Sequence, residues 1–155
     1  KKLLVFFVMS EVPDGKNLWM LATGTGLGVF ISLLKTPEPW DRFKKIILVH
    51  GVRTKNELSY QEQIRKFETD HPGKIKYIQT ITREKDMDCL NVRIPQGLET
   101  KEIQERAGIE ITLDSQIMIC GNPDMINDTV ALLEKSGLKR NRRSKPGNIT
   151  LEKYW

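Results

Sequence analysis

Short apolar runs alternate along this chain with longer segments that have helical periodicity. Four apolar runs have the length and composition of buried strands: 18–22, 45–50, 75–81 and 116–120. Four longer segments bounded by proline or glycine are predicted helices: 27–34, 60–70, 98–107 and 124–136. This alternation predicts an α/β fold, in which helices cover both faces of a parallel sheet of about five strands.

Three further segments do not fit the alternation. The apolar run 3–9 precedes a Pro-Asp-Gly turn at 13–15. The charged segment 82–95 is predicted to be a loop with a short extended piece at 92–94, and the tail 138–155 is basic before an apolar finish.

The composition narrows the class of protein. An apolar fraction of 39% and a charged fraction of 29% are typical of a soluble globular domain. The formal net charge of +5 favours anionic partners, namely nucleic acid, nucleotide phosphates or an acidic protein.

Cysteine and histidine usage favours a cytoplasmic protein without a metal. Cys89 and Cys120 form no C-x-x-C pair, which suits a reducing compartment. His50 and His71 lack the spacing of metal ligands. Glycine and threonine interrupt the apolar stretch 18–34, so a membrane span is not expected either.

A glycine loop joins the strand 18–22 to the helix 27–34, and its sequence is Thr23-Gly24-Thr25-Gly26. Glycines let a backbone approach a pyrophosphate at the positive end of a helix. The strict dinucleotide pattern G-x-G-x-x-G fails because Val29 takes the third position. A tight connection without a ligand is the simpler explanation, and the loop alone favours neither.

Arginines follow two neighbouring predicted strands. Arg53 comes directly after the second strand, where an NAD site would have an acidic residue on the ribose 2′-hydroxyl and where arginine suits a 2′-phosphate. Arg83 and Arg93 lie in the region after the third strand. Loop arginines are usually only solvated, but ligands collect at the carboxyl ends of such strands, so these three are predicted to converge on one anion of NADP.

The fourth predicted strand ends in Cys120-Gly121-Asn122-Pro123 and faces the same crevice. Cys120 is either a small buried apolar residue or an exposed thiol close to the reacting ring. Asn122 is predicted to cap the following helix and to offer an amide to the ligand.

Six blocks of sequence carry a family resemblance: LATGTG at 21–26, HGVR at 50–53 with Glu57, Leu58 and Tyr60 behind it, TRE at 82–84, CGNPDM at 120–125, PGNIT at 146–150, and Tyr154-Trp155. In order and spacing they resemble the C-terminal, NADP-binding domain of bacterial ferredoxin–NADP reductases, the flavodoxin/ferredoxin reductases. The resemblance runs from about residue 6 to the C-terminus.

The resemblance implies a Rossmann-like domain that follows a β-barrel binding FAD in the same polypeptide. It also implies an activity: hydride passes from NADPH to FAD, and the flavin delivers single electrons to ferredoxin or flavodoxin. Neither a membrane nor a nucleic acid is an expected partner.

The resemblance also implies roles for individual residues. It assigns the 2′-phosphate to three arginines, Arg53, Arg83 and Arg93. It places Thr25 at the junction of flavin and nicotinamide, and it places Tyr154 and Trp155 near the flavin, with Trp155 against the ring where nicotinamide enters. Thr25 and Cys120 are the candidate catalytic residues.

The chain departs from the family pattern at three points. Val29 replaces the proline that usually follows the glycine loop, and the loop 84–91 carries Cys89 and lacks the usual glycine near Arg93. The R-x-Y-S/T flavin motif is absent. We therefore expect residues 1–12 to be the tail of the FAD-binding barrel and 13–155 to be the NADP-binding domain with a flavin-facing tail, which would be inactive alone.

Two other functions compete with this interpretation. A related NAD(P)H reductase component that serves an oxygenase or free flavin shares the pattern, although Arg53 and Trp155 favour the ferredoxin type. A basic nucleic-acid-binding module would use the charged run 139–145. No nucleic-acid-binding motif or aromatic stacking platform accompanies that run.

Overall fold

The computed structural model describes residues 8–153, and its sheet has five parallel strands. The strands are β1 (Asn17–Thr23), β2 (Lys45–Val52), β3 (Ile75–Ile81), β4 (Ser115–Gly121) and β5 (Ile149–Lys153). The helices are α1 (Leu27–Leu34), α2 (Glu38–Arg42), α3 (Gln61–Asp70), α4 (Ile94–Glu99), α5 (Glu102–Ala107) and α6 (Pro123–Lys135). The strand order β3-β2-β1-β4-β5 confirms the predicted Rossmann-like α/β fold.

Two apolar layers sandwich the sheet, because successive strand residues point to opposite faces. In β1, Leu18 and Met20 belong to the layer that α1, α2 and α3 cover. Trp19 and Leu21 belong to the layer under α4, α5 and α6. All four side chains are fully buried. Burial of one such side chain contributes about 1.5–3 kcal/mol, so the central strands fix the position of their carboxyl ends firmly.

Two prolines follow α1, and the sequence predicted that they end that helix. Pro37 and Pro39 also begin α2, a short helix that was not predicted. The indole Nε1 of the buried Trp40 donates to the carbonyl of Leu34 at 2.8 Å. This bond satisfies one of the carbonyl oxygens that the end of α1 leaves without a helical partner.

The predicted helix 98–107 is two helices, α4 and α5. The chain turns between them at Lys101, which has a left-handed φ of 72°. Ile94, predicted to end an extended piece, is the first residue of α4. The predicted loop therefore ends earlier than expected, and α4 begins beside the carboxyl ends of the strands.

The first described residues pack onto this domain. Met9 and Val12 are buried in the layer under α1, and the guanidinium of Arg42 donates to the carbonyl of Met9 at 2.6 Å. Most of the run 3–9, together with Tyr154 and Trp155, lies outside the described residues. Between residues 8 and 153, no helix is long and apolar enough to cross a bilayer.

Candidate functional site

A cavity of about 420 Å³ opens where the strands end, at the point where the chain order of the sheet reverses between β1 and β4. Open α/β sheets bind ligands at this place. The lining includes six residues that the sequence predicted for the site: Thr23, Gly24, Thr25, Arg53, Arg93 and Asn122. Apolar groups from Ile94, Pro95 and Met125 complete the wall.

The glycine loop forms a short 3-10 turn, Gly24–Gly26, that leads directly into α1. Gly24 has a left-handed φ of 53°, which a glycine adopts without steric cost. Gly26 lies against β4, since a Cβ there would be 2.5 Å from the carbonyl oxygen of Cys120. The turn therefore presents backbone at the start of α1, where helical amides lack partners and the helix dipole favours an anion.

The ends of β1 and β4 are joined beneath the cavity. The peptide N–H of Asn122 donates to Thr23 Oγ1 at 3.1 Å. A Cβ on Gly121 would collide with that same hydroxyl oxygen, so the close approach requires glycine. Asn122 Oδ1 also accepts from the peptide N–H of Met125 at 2.8 Å, which confirms the predicted cap of α6.

His50 is a buried group of the site that sequence reasoning did not identify. It is fully buried, and its Nε2 lies 3.0 Å from the carbonyl oxygen of Gly24. Because a carbonyl oxygen only accepts, the ring must donate from Nε2. Within residues 8–153, Nδ1 is buried without a partner. Burial lowers the pKa of His50 below 6.5, against the smaller raising effects of the Gly24 hydrogen bond and the Glu57 charge.

His50 should make stability depend on pH. Because burial lowers its pKa, the unfolded chain binds a proton near pH 6.5 that the folded chain does not. The contribution of neutral His50 to the free energy of unfolding is complete above pH 6.5. It is lost as the pH falls from 6.5 through the pKa that His50 has in the folded protein. As the pH is lowered, the midpoint of thermal unfolding should fall less in His50→Gln than in the parent protein. The glutamine amide still donates to the carbonyl of Gly24 but does not titrate.

The control for this experiment is His71→Gln, which replaces the other histidine of the chain. Both variants are measured over the same pH range, so that an effect common to the two is not assigned to His50. Equal pH dependence in the parent and in His50→Gln would show that His50 is not the group responsible.

Two of the three predicted arginines line the cavity. Arg53 forms an ion pair with Glu57 at 2.7 Å, and its side chain is 62% exposed. Arg93 contributes to the lining from the start of α4, 3.5 Å from Asp128. Arg83 is exposed but does not line the cavity. The peptide N–H of Arg83 donates to the carbonyl of Arg53 at 2.8 Å, so the two backbones are adjacent.

Cys120 is fully buried, which agrees with the first of the two alternatives that the sequence left open and not with an exposed thiol. The Gly26 turn covers it from one side, and its Sγ lies 3.9 Å from Glu152 Oε2 on β5. Burial and then the Glu152 charge raise the pKa of this thiol to about 12. The thiol is therefore neutral at physiological pH. Thr25, by contrast, is exposed at the cavity.

Comparisons with known proteins match this geometry. The family model described as oxidoreductase NAD-binding domain matches residues 20–131. The flavodoxin/ferredoxin–NADP reductase of Buchnera aphidicola subsp. Schizaphis graminum is 41% identical over 152 residues, 97% of this chain and 59% of the relative. The protein of the same name from Escherichia coli (strain K12) is 38% identical over 152 residues, with coverages of 97% and 61%.

A solved structure is similar across nearly the whole chain. The ferredoxin NADP+ reductase of Neisseria gonorrhoeae, with bound FAD and NADP, superposes with a TM-score of 0.90 at 32% identity. The match covers 98% of this chain and 61% of that one. The chain thus spans about 60% of the length of the relatives it matches.

Proposed function

Because this chain belongs to the family of oxidoreductase NAD-binding domains, we propose that it is the NADP(H)-binding module of a ferredoxin– or flavodoxin–NADP reductase. The observation that carries the proposal is the position of Arg53 and Arg93. Both line the cavity that begins at the glycine loop, as a nucleotide with a 2′-phosphate requires. The similar reductases from Buchnera, E. coli and Neisseria support the same conclusion.

The groups around the cavity fit NADP(H). The Gly24–Gly26 turn and the start of α1 would receive the pyrophosphate, because backbone amides and the helix dipole meet there. Arg53 and Arg93, with Arg83 nearby, would hold the 2′-phosphate. Thr25 and Asn122 would contact the nicotinamide end, since they lie on the β1–β4 side. Bound NADPH would supply the hydride. The residues of this chain would bind NADPH and orient it.

The flavin belongs to another part of the polypeptide in this proposal. Residues 1–12 would end an FAD-binding barrel, and 13–155 would form the NADP-binding domain. Met9 and Val12 are buried in the core of the nucleotide domain, so the end of the segment 1–12 also contacts that domain. Tyr154 and Trp155 would contact the flavin, and Cys120 would lie near it as a neutral, buried thiol.

An acidic electron carrier, ferredoxin or flavodoxin, is the proposed protein partner. The basic run 139–145 supports it, because the side chains of Lys139, Arg140, Arg142, Arg143 and Lys145 are exposed. Arg143 is 95% exposed and lies 3.6 Å from the Glu11 carboxylate. Such a cationic surface attracts an acidic carrier over a distance. We place the reductase in the cytoplasm, in agreement with its two free, buried cysteines.

The decisive experiment compares this chain with a polypeptide that joins it to an FAD-binding domain. The joined protein should be yellow, NADPH should bleach its flavin in anaerobic stopped flow, and ferredoxin or flavodoxin should restore the colour. The 155-residue chain should bind NADP⁺ but purify without flavin and reduce no dye. Stoichiometric FAD on the isolated chain, or rapid dye reduction by it, would contradict the proposal that FAD binds a different domain.

A further inference from the structure

Glu57 is an acidic residue in the wall of a cavity that should receive an anion. It ends the 3-10 turn Lys55–Glu57, which follows directly on Arg53 and Thr54. Its Oε1 accepts from the peptide N–H groups of Arg53 at 2.9 Å and of Thr54 at 3.1 Å. The carboxylate therefore fixes the backbone from which the Arg53 side chain extends.

The same carboxylate also binds the guanidinium of Arg53, along one edge. Nη2 donates to Glu57 Oε2 at 2.7 Å, and Nε lies 3.4 Å from Oε1. Among the described residues, none accepts a hydrogen bond from Nη1 of Arg53. A guanidinium is a rigid fork of five donors, so a carboxylate on its Nε edge leaves the Nη1 edge available in a fixed orientation.

Glu57 stays ionised while it does this. The Arg53 side chain, followed by the peptide N–H groups of Thr54 and Arg53, lowers the pKa of Glu57 to about 2. Its charge is neutralised at close range by Arg53 itself, so an approaching phosphate meets an ion pair. An exposed arginine without this contact must instead give up its rotamer freedom when a ligand binds.

We propose that Glu57 is a positioning residue, which holds the guanidinium of Arg53 in the orientation that receives the 2′-phosphate of NADP(H). This inference rests on the proposed function. It assigns Glu57 a part in discrimination between NADP and NAD, in addition to its part in capping the turn.

The test uses Glu57→Gln and a matched control, Thr54→Ala. Glutamine keeps one oxygen for the two peptide N–H groups. Its NH₂ group faces the guanidinium, and because both groups are only donors, the hydrogen bond from Nη2 is lost. Thr54→Ala removes the other half of the same capping box and leaves the Glu57 carboxylate unchanged. Dissociation constants are measured by calorimetry for NADP⁺ and NAD⁺, and for 2′-AMP and 5′-AMP, with unfolding midpoints as a check on folding.

Glu57→Gln should weaken NADP⁺ and 2′-AMP binding by roughly five- to tenfold, with NAD⁺ and 5′-AMP changed by less than about twofold. Thr54→Ala should leave the NADP⁺/NAD⁺ ratio unchanged. Equal losses for all four ligands would reduce Glu57 to a cap, and tighter NADP⁺ binding would mean that its charge repels the phosphate; either result overturns the inference. A parent protein without any NADP⁺ preference would instead refute the proposed function.

Discussion

NADP⁺ is expected to bind on the order of a hundredfold more tightly than NAD⁺, and Arg53→Ala should remove most of that preference. The 2′-phosphate is the only difference between the two ligands, and Arg53 and Arg93 both line the cavity. A charge-assisted hydrogen bond is about twice as strong as a neutral one. The loss of one arginine should therefore weaken the binding of NADP⁺ and leave the binding of NAD⁺ almost unchanged. The folded state should change little, because the Arg53 side chain is 62% exposed.

Competitive titration with both nucleotides checks this expectation. Arg65→Ala, on the exposed side of α3, is the matched control and should leave both affinities unchanged. Arg83→Ala should have a smaller effect than Arg53→Ala, since its side chain is outside the cavity lining. Equal affinities for NADP⁺ and NAD⁺ in the parent protein would refute the assignment of the arginines.

Gly26→Ala is expected to destabilise the protein by at least about 1–3 kcal/mol, the usual cost of overpacking. The backbone angles at Gly26, φ −60° and ψ −22°, suit alanine, so the cost is purely steric. The added Cβ would lie 2.5 Å from the carbonyl oxygen of Cys120 and 2.9 Å from its carbonyl carbon. Both atoms belong to β4, which pairs on both sides and cannot retreat.

Gly28→Ala is the matched control, two residues further along the same segment. A Cβ there would be 3.2 Å from the hydroxyl of Tyr60, the far end of a side chain that is 49% exposed and can move. Alanine inside a helix also gains about 1 kcal/mol over glycine. Urea unfolding should therefore find Gly28→Ala near neutral or stabilised. Similar losses in both variants would mean that the loop, and not its contact with β4, limits stability.

The strands and the location of the crevice could be predicted from sequence because both depend on local patterns. The run 46–49 is apolar at every position, as expected for a strand that is covered on both faces. Arg53 could be located because the strand before it has a clear end. The cap at Asn122 follows from one residue and the proline after it.

Other features depend on contacts between distant parts of the chain. The burial of Cys120 needs the Gly26 turn and Glu152 of β5, neither of which is near it in sequence. The hydrogen bond of His50 to Gly24 spans two strands. The break at Lys101 needs a left-handed φ at a residue type that rarely adopts one. Periodicity carries no signal for any of these.

The hydrogen bond that closes the crevice from below joins Thr23 to Asn122, 99 positions apart in the chain. Contacts over such separations require a long loop to close first, which makes their formation slow. A growing polypeptide that does not yet include β4 has the glycine loop and the arginine at the end of β2, but it lacks Asn122 and Met125, which complete the wall of the crevice. If the proposed function holds, NADP(H) would bind the assembled sheet and by mass action would stabilise the complete fold.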